Sequence, residues 1–373
     1  MARIFLLGVI SGFPWVLIGS SLSLWLQEDG LSRSTIGWAG LIFGVYAFNF
    51  LWAPLIDRIR IPWLSERLGH RRAWIVTLQA VILVCLVLWS TVEPTANLAG
   101  VVAIGLVIAI ASATQDITID ALRIEQIGRT EGESMAAGAA TAVVGWWTGY
   151  KLGGIVALET AQAFETAGVE DYWQATFLVL GAVVVLCNIA LAFVRESPAA
   201  ERIAAQAADE ARIASHLVVA GPLARAAAWI GGTVVGPLAS FFRQNGFAIA
   251  IAVLGFIFLF KIGEAFLGRM SVVFYKEIGF TKSDIALYSK GLGWVTTVTF
   301  TVLGGLFAIR IGLVRAMFVS GIAMALTNLL FAVLAWAGKS EALFAAAVVM
   351  DDLTSSFATV TFVAFISMLV DRT

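Results

Sequence analysis

Ten long, almost uncharged apolar runs fill this 373-residue chain, and their length restricts the possible folds more than any other feature. A helix needs about 20 apolar residues to cross a bilayer core roughly 30 Å thick. In hydrocarbon a helix also satisfies its backbone hydrogen bonds without water, which open sheets and loops do not. Hydrophobic residues make up 60% of the chain and charged residues 13%, more apolar surface than a soluble packing hides. The chain therefore reads as an all-α, polytopic helical membrane protein. Its function is expected where charge is tolerated inside the spans.

The sequence predicts spans near 4–26, 34–55, 73–92, 98–122, 135–158 and 173–195, then near 246–268, 283–308, 312–336 and 342–369. The start, Met1-Ala2-Arg3 and an apolar stretch, resembles a signal peptide. The run continues to about Gln27 with no small-residue cleavage pattern, so it reads as the first span. Placing the N-terminus in the cytoplasm puts most Arg and Lys residues in cytoplasmic connections, including Arg58, Arg60, Arg67, Arg71 and Arg72. Arg33, Arg269, Lys276, Lys282 and Lys339 then lie outside, which satisfies the positive-inside rule. A net charge of −1 argues against a nucleic-acid partner. Cys85 and Cys187 read as small core hydrophobes. His70 and His216 fall in polar connections, which excludes a histidine metal cluster, and no cofactor is expected.

A polar interruption at 196–245 separates a six-helix N-terminal half, 1–195, from a C-terminal half, 246–373, with four helices. The linker begins with an alanine-rich surface helix over 199–217. Its second part, 218–243, is broken by Gly221-Pro222, Gly231-Gly232 and Gly236-Pro237 and reads as interfacial or re-entrant rather than spanning. The halves repeat each other. Leu31-Ser32-Arg33-Ser34-Thr35-Ile36 before span 2 matches Phe280-Thr281-Lys282-Ser283-Asp284-Ile285 before span 8. More weakly, Gln115-Asp116-Ile117-Thr118 matches Asp351-Asp352-Leu353-Thr354. Repeated six-helix halves are a transporter architecture with the solute site between the halves. On that pattern the chain is expected to be a fragment truncated after the tenth helix.

A charge at the centre of a spanning helix costs about 2.5–3.5 kcal/mol on insertion scales, so it normally faces a cavity or a partner. Lys151 in span 5, Lys261 and Glu264 in span 7, Lys290 in span 8 and Asp351 in span 10 are such charges. All fall in the outer half by this topology, and Lys261 and Glu264 share one helix face. Two readings stay open. In one, these groups are ion pairs that staple the halves together. In the other, Lys151, Lys261 and Lys290 hold an anionic solute while Glu264 or Asp351 carries a proton.

Asp116 and Asp120 lie four apart near the cytoplasmic end of span 4, with Arg123 three further on. Asp120 and Arg123 read as a cytoplasmic gate with Asp57 and Arg58 of the loop after span 2. Gln115 and Asp116 lie deeper and are site candidates, Asp116 for proton coupling. Ser11-Gly12-Phe13-Pro14 breaks span 1: Gly12 permits close approach and Pro14 frees a carbonyl, so the stretch lines a cavity or packs against a neighbour. Trp146-Trp147 reads as lipid-facing rather than as a sugar-stacking platform.

Asp57-Arg58, Arg67 and Gly69-His70-Arg71-Arg72 resemble the loop between helices 2 and 3 of the major facilitator superfamily, with a few residues inserted. Several segments resemble the AmpG-type muropeptide permease family in particular. They are Ser11-Gly12-Phe13-Pro14, Phe50-Leu51-Trp52-Ala53-Pro54-Leu55-Ile56-Asp57-Arg58, Ser112-Ala113-Thr114-Gln115-Asp116-Ile117, Gly149-Tyr150-Lys151-Leu152-Gly153, Trp173-Gln174-Ala175-Thr176-Phe177 and Lys261-Ile262-Gly263-Glu264-Ala265-Phe266. Each is weak alone; their order and spacing along the whole chain are specific. The resemblance implies an inner-membrane importer of anhydro-muropeptides from cell-wall turnover, driven by protons. It marks Gly12, Ala113 and Gln115 as family positions, and Lys151 stands where the family carries a basic residue. The family's basic residue in span 2 is Asn49 here, and its glycine pair in span 10 is Ser355-Ser356.

The combined reading is a secondary transporter, not an enzyme, importing a polar, anionic solute such as a sugar-peptide by proton symport. Its expected partners are that small molecule, protons and the lipid bilayer. The alternatives are an importer of a siderophore or a CoA-type conjugate, and a membrane-embedded transferase. The transferase would want a His, Cys or paired-carboxylate constellation at a membrane face.

Overall fold

A computed structural model describes the backbone of residues 1–49, 52–127, 132–194, 196, 242–243 and 246–370. Within it, the side chains of 54, 57–58, 124–127, 132–137, 139, 257–258, 260–269 and 363–370 are not described.

Pro14 shapes span 1, which runs from Ala2 to Glu28. Proline has no N–H to give the carbonyl four residues back, and that carbonyl, on Ile10, is taken by Gln115 Nε2 at 3.0 Å. A π-helical segment, Val16–Ser21, follows before α-helix resumes at Leu22. Span 2 contains Gly37, Gly40, Gly44 and Pro54, poor helix formers. It is accordingly divided into Arg33–Ala39, a 3₁₀ stretch Gly40–Gly44, Val45–Phe48 and Ala53–Arg58. Spans 3 to 6 are His70–Trp89, Leu98–Ile127, Gly132–Thr166 and Tyr172–Leu191. Span 3 is capped from a distance: the Glu196 carboxylate accepts from the Arg71 and Arg72 N–H groups, each at 3.0 Å, satisfying first-turn donors that have no partner in their own helix.

Span 7 is Phe247–Ile278, span 9 Leu313–Ala337 and span 10 Glu341–Val370. Span 8 covers Lys282–Ile311 and carries a second π segment, Ala286–Leu292. A single residue, Gly312, turns span 8 into span 9 at φ +85°. Among the described residues, seven helices are long and apolar enough to cross a membrane by length and composition. The helices of the other three expected spans are present but interrupted or only partly described. The repeat read from the sequence coincides with two matched helix starts. Ser32 caps span 2 by accepting from Thr35 N–H, and Thr281 caps span 8 in a capping box with Asp284.

The chain forms two compact units. The larger comprises Met1–Glu196 and Gly268–Ser367, and holds the spans whose packing follows; the smaller comprises Ser197–Leu267 and Met368–Thr373. In the smaller unit Phe242 stacks on Phe247 with ring centroids 5.7 Å apart. The linker segments 199–217 and 218–243 lie outside the described residues, apart from Phe242 and Arg243.

In the larger unit spans 1 and 5 meet at close range. A Cβ on Gly12 would stand 2.0 Å from the Trp146 carbonyl oxygen, one on Gly8 2.4 Å from that of Ala142, one on Gly145 2.3 Å from that of Phe5, and one on Gly149 2.2 Å from that of Val9. Two small-xxx-small patterns thus bring the backbones together, the usual way that apolar helices associate without a hydrophobic driving force. Trp25, Trp89, Trp173 and Phe177, each at most 1% exposed, fill the space between spans 1, 3 and 6 at the end of the bundle where span 1 ends. That end is called distal below.

Candidate functional site

Span 5, held against span 1 by the glycine contact, also packs on span 8, and the charges meet along this second contact. Lys151 Nζ lies 3.7 Å from Asp352 Oδ1 of span 10 and donates to the Ser289 carbonyl of span 8 at 3.0 Å. Thr296 Oγ1 donates to Asp352 Oδ2 at 2.6 Å. Lys290 comes from the π segment of span 8, and such segments recur at functional sites because they redirect side chains. Its ammonium lies 4.1 Å from the ring centre of Tyr150. Lys151 and Lys290 are 8% and 2% exposed, and Asp352 is 9% exposed. At that burial a charge persists only where partners compensate for lost water. Trp147 lies 5.8 Å from Lys151 Nζ, and Trp294 Nε1 donates to Thr148 Oγ1 at 2.9 Å, so the walls are aromatic and hydroxylic.

A second polar site lies between spans 1, 4 and 5 toward their opposite ends. Ser11 Oγ donates to Asp116 Oδ1 at 2.5 Å. Both line a cavity of about 210 Å³ with Asp120, Arg123 and Trp146. Asp120 and Arg123 pair with each other at 3.1 Å.

Of the residues singled out in the sequence, Lys151 and Lys290 come together, and Asp116 lines the second cavity. Ala113 and Gln115 are fully buried in span 4, and Gln115 is engaged with the carbonyl that Pro14 frees. Gly12 is a helix contact. Asp351 lies on span 10 beside the carboxylate that pairs with Lys151. The side chains of Lys261, Glu264, Asp57 and Arg58 lie outside the described residues. Trp146 differs from the lipid-facing expectation. Its ring lies edge-on to Trp15 and stacked near Tyr150, because the glycine contact turns this face of span 5 inward.

Sequence reasoning missed Asp352, Thr296 and Tyr150. The Asp351-Asp352 pair was visible, but choosing between neighbours 100° apart needs the rotation of the helix. It also missed Lys282, expected in an outer connection and fully buried instead. Lys282 Nζ pairs with Glu28 and Glu165, each at 2.8 Å, and lies 4.7 Å from the Tyr172 ring centre. Glu28 also receives Lys276 at 2.7 Å, Tyr172 Oη–H at 2.9 Å and Trp173 Nε1–H at 2.7 Å. Arg33–Glu277 at 2.6 Å and Ser283 Oγ to Glu159 at 2.9 Å continue this distal array. It joins spans 1, 2, 5 and 6 to spans 7 and 8. The only hint in the sequence was acid at the ends of spans 1 and 5.

The profile of the Major Facilitator Superfamily matches residues 4–373. "Putative transporter AmpG 4" of Rickettsia conorii is 30% identical over 370 residues, covering 99% of this chain and 82% of that protein. "Anhydromuropeptide permease" of Escherichia coli K12 is 29% identical over 372 residues, covering 100% of this chain and 68% of that protein. Among solved structures, a proton dependent oligopeptide transporter superposes with a TM-score of 0.66 at 13% identity, over 98% of this chain and 83% of its own. The nucleoside transporter NupG does so at 0.65 and 11%, over 98% and 82%. At such identities these two structures speak for the fold alone. The matched profile, the AmpG relatives and the apolar helices agree: this chain is a multi-pass membrane transporter that belongs to the major facilitator superfamily.

Proposed function

We propose that the chain imports an anionic sugar-peptide of the anhydro-muropeptide class across the bacterial inner membrane by proton symport. In this reading the N-terminus is cytoplasmic and the solute passes between a six-helix half, 1–195, and the half beginning at 246. The observation that carries it is the buried meeting of Lys151, Lys290 and Asp352, contributed by spans 5, 8 and 10. Muropeptides bring carboxylates for the lysines and sugar faces for the aromatic walls. The name of the Escherichia coli relative supports the same class. Asp116, with its hydroxyl donor and cavity, is the proton carrier in this reading.

The test is uptake of labelled anhydro-muropeptide into cells that lack their own permease. Expression of the chain should confer uptake that rises as external pH falls and collapses with a protonophore. Asp116→Asn should make the residual uptake insensitive to pH, because the amide takes up no proton. Uptake that ignores the protonophore would remove the symport reading. No uptake of this solute by a correctly inserted chain would remove the solute class.

A further inference from the structure

Spans 5 and 8 each carry a lysine followed three positions later by a glycine, Lys151-Leu152-Gly153-Gly154 and Lys290-Gly291-Leu292-Gly293, and in the fold each glycine serves the other lysine. A Cβ at Gly293 would stand 2.7 Å from Lys151 Nζ and 3.2 Å from Asp352 Oδ2. A Cβ at Gly154 would stand 2.9 Å from both Cδ and Cε of Lys290. Each lysine therefore rests on the glycine that follows the other lysine by three positions. These contacts differ in kind from those at Gly8, Gly12, Gly145 and Gly149, where the first atom met is a backbone oxygen. A methyl on those glycines drives two helices apart. A methyl on Gly154 or Gly293 meets a flexible side chain, which turns to another rotamer and takes its ammonium with it.

The charge balance of the exchange is uneven. Lys151 has Asp352 as its counterion. Lys290 has the face of Tyr150 and, among the described residues, no carboxylate within 4.0 Å. A ring face compensates a buried ammonium less fully than a carboxylate does.

Resting on the anionic-solute reading above, we propose that Gly154 and Gly293 are specificity-determining positions. They seat the two lysines so that Asp352 retains Lys151 while Lys290 receives one free carboxylate of the solute over Tyr150. Gly154 is then a positioning residue acting through Lys290.

The test compares uptake of an anhydro-muropeptide with free peptide carboxylates against the same compound with those carboxylates amidated. The wild-type chain should prefer the free acid by about ten- to a hundredfold, the scale of one charge-assisted contact. Lys290→Ala and Gly154→Ala should each erase that preference while the protein reaches the membrane in normal amount. The double variant should be no worse than Lys290→Ala alone, since both changes remove one interaction. Lys290→Arg probes placement without touching the helix contact: it keeps the charge, changes its reach, and should also lose the preference. If the preference is lost in Lys290→Ala but kept in both Gly154→Ala and Lys290→Arg, or if the double variant shows additive losses, the seating role is overturned and the anionic-solute reading stands. If Lys290→Ala keeps the preference, both fall.

Discussion

Gly12 is a position where one added carbon decides whether two helices meet. Its Cβ would lie 2.0 Å from a backbone oxygen of span 5, with no flexible atom to yield. Gly12→Ala is expected to destabilise the protein by about 1–3 kcal/mol, as overpacking typically does. A lowered melting midpoint in detergent, with reduced membrane yield, would register it. Asp29, just past span 1, gives a pH-dependent counterpart. Burial raises its carboxyl above the ordinary range, and repulsion from Glu93, Glu28 and Asp171 adds to this. The folded protein then holds this proton more tightly than the unfolded chain. Its share of stability is present at low pH and is lost as pH rises through the folded value. Asp29→Asn should accordingly flatten the decline of the melting midpoint as pH rises from the ordinary carboxylate range. A steeper decline in the variant would contradict the sign. Close approach at Gly12 was legible from the sequence, and so was the carbonyl that Pro14 frees. Its donor, Gln115, was not, because it arrives from span 4, 105 positions away.

At the level of helices, the distal array is where the two sets of spans grip one another. Lys282 is fully buried between Glu28 and Glu165. Removing one member of a buried charged pair strands the other, at a cost of roughly 3–5 kcal/mol. Lys282→Met is therefore expected to loosen this end. A thiol placed at Gln27, whose amide donates to the Val273 carbonyl at 3.0 Å, should be labelled faster in that variant, in a background with Cys85 and Cys187 replaced by alanine. Equal labelling rates would show that the pairs do not hold the end shut. The existence and order of the spans were legible, since apolar length alone defines them. So were the starts of spans 2 and 8, where Ser32 and Thr281 cap. The π segments were not, because they follow from how neighbouring helices pack. Asp352 rather than Asp351 faces Lys151 for the same reason: helix rotation is a tertiary property.

For the whole molecule, the charges buried between spans 5, 8 and 10 admit two roles. As staples, Lys151 and Asp352 would contribute stability alone. As a solute site, they are held near one another by glycines and aromatic walls so that an arriving carboxylate finds unspent positive charge. The superfamily was legible in the loop after span 2 and in segments spread along the chain. The site was legible only as a set of unexplained charges, because lysines 139 positions apart in sequence give no sign that they share a wall. The most direct measurement is uptake of labelled anhydro-muropeptide by Lys151→Ala beside the wild-type chain, with membrane abundance and melting midpoint recorded for both. The solute-site account predicts that uptake per inserted molecule is abolished; the melting midpoint falls under either role, because Asp352 is left buried without its counterion. Normal uptake per inserted molecule by Lys151→Ala would contradict it and leave the lysine as a staple.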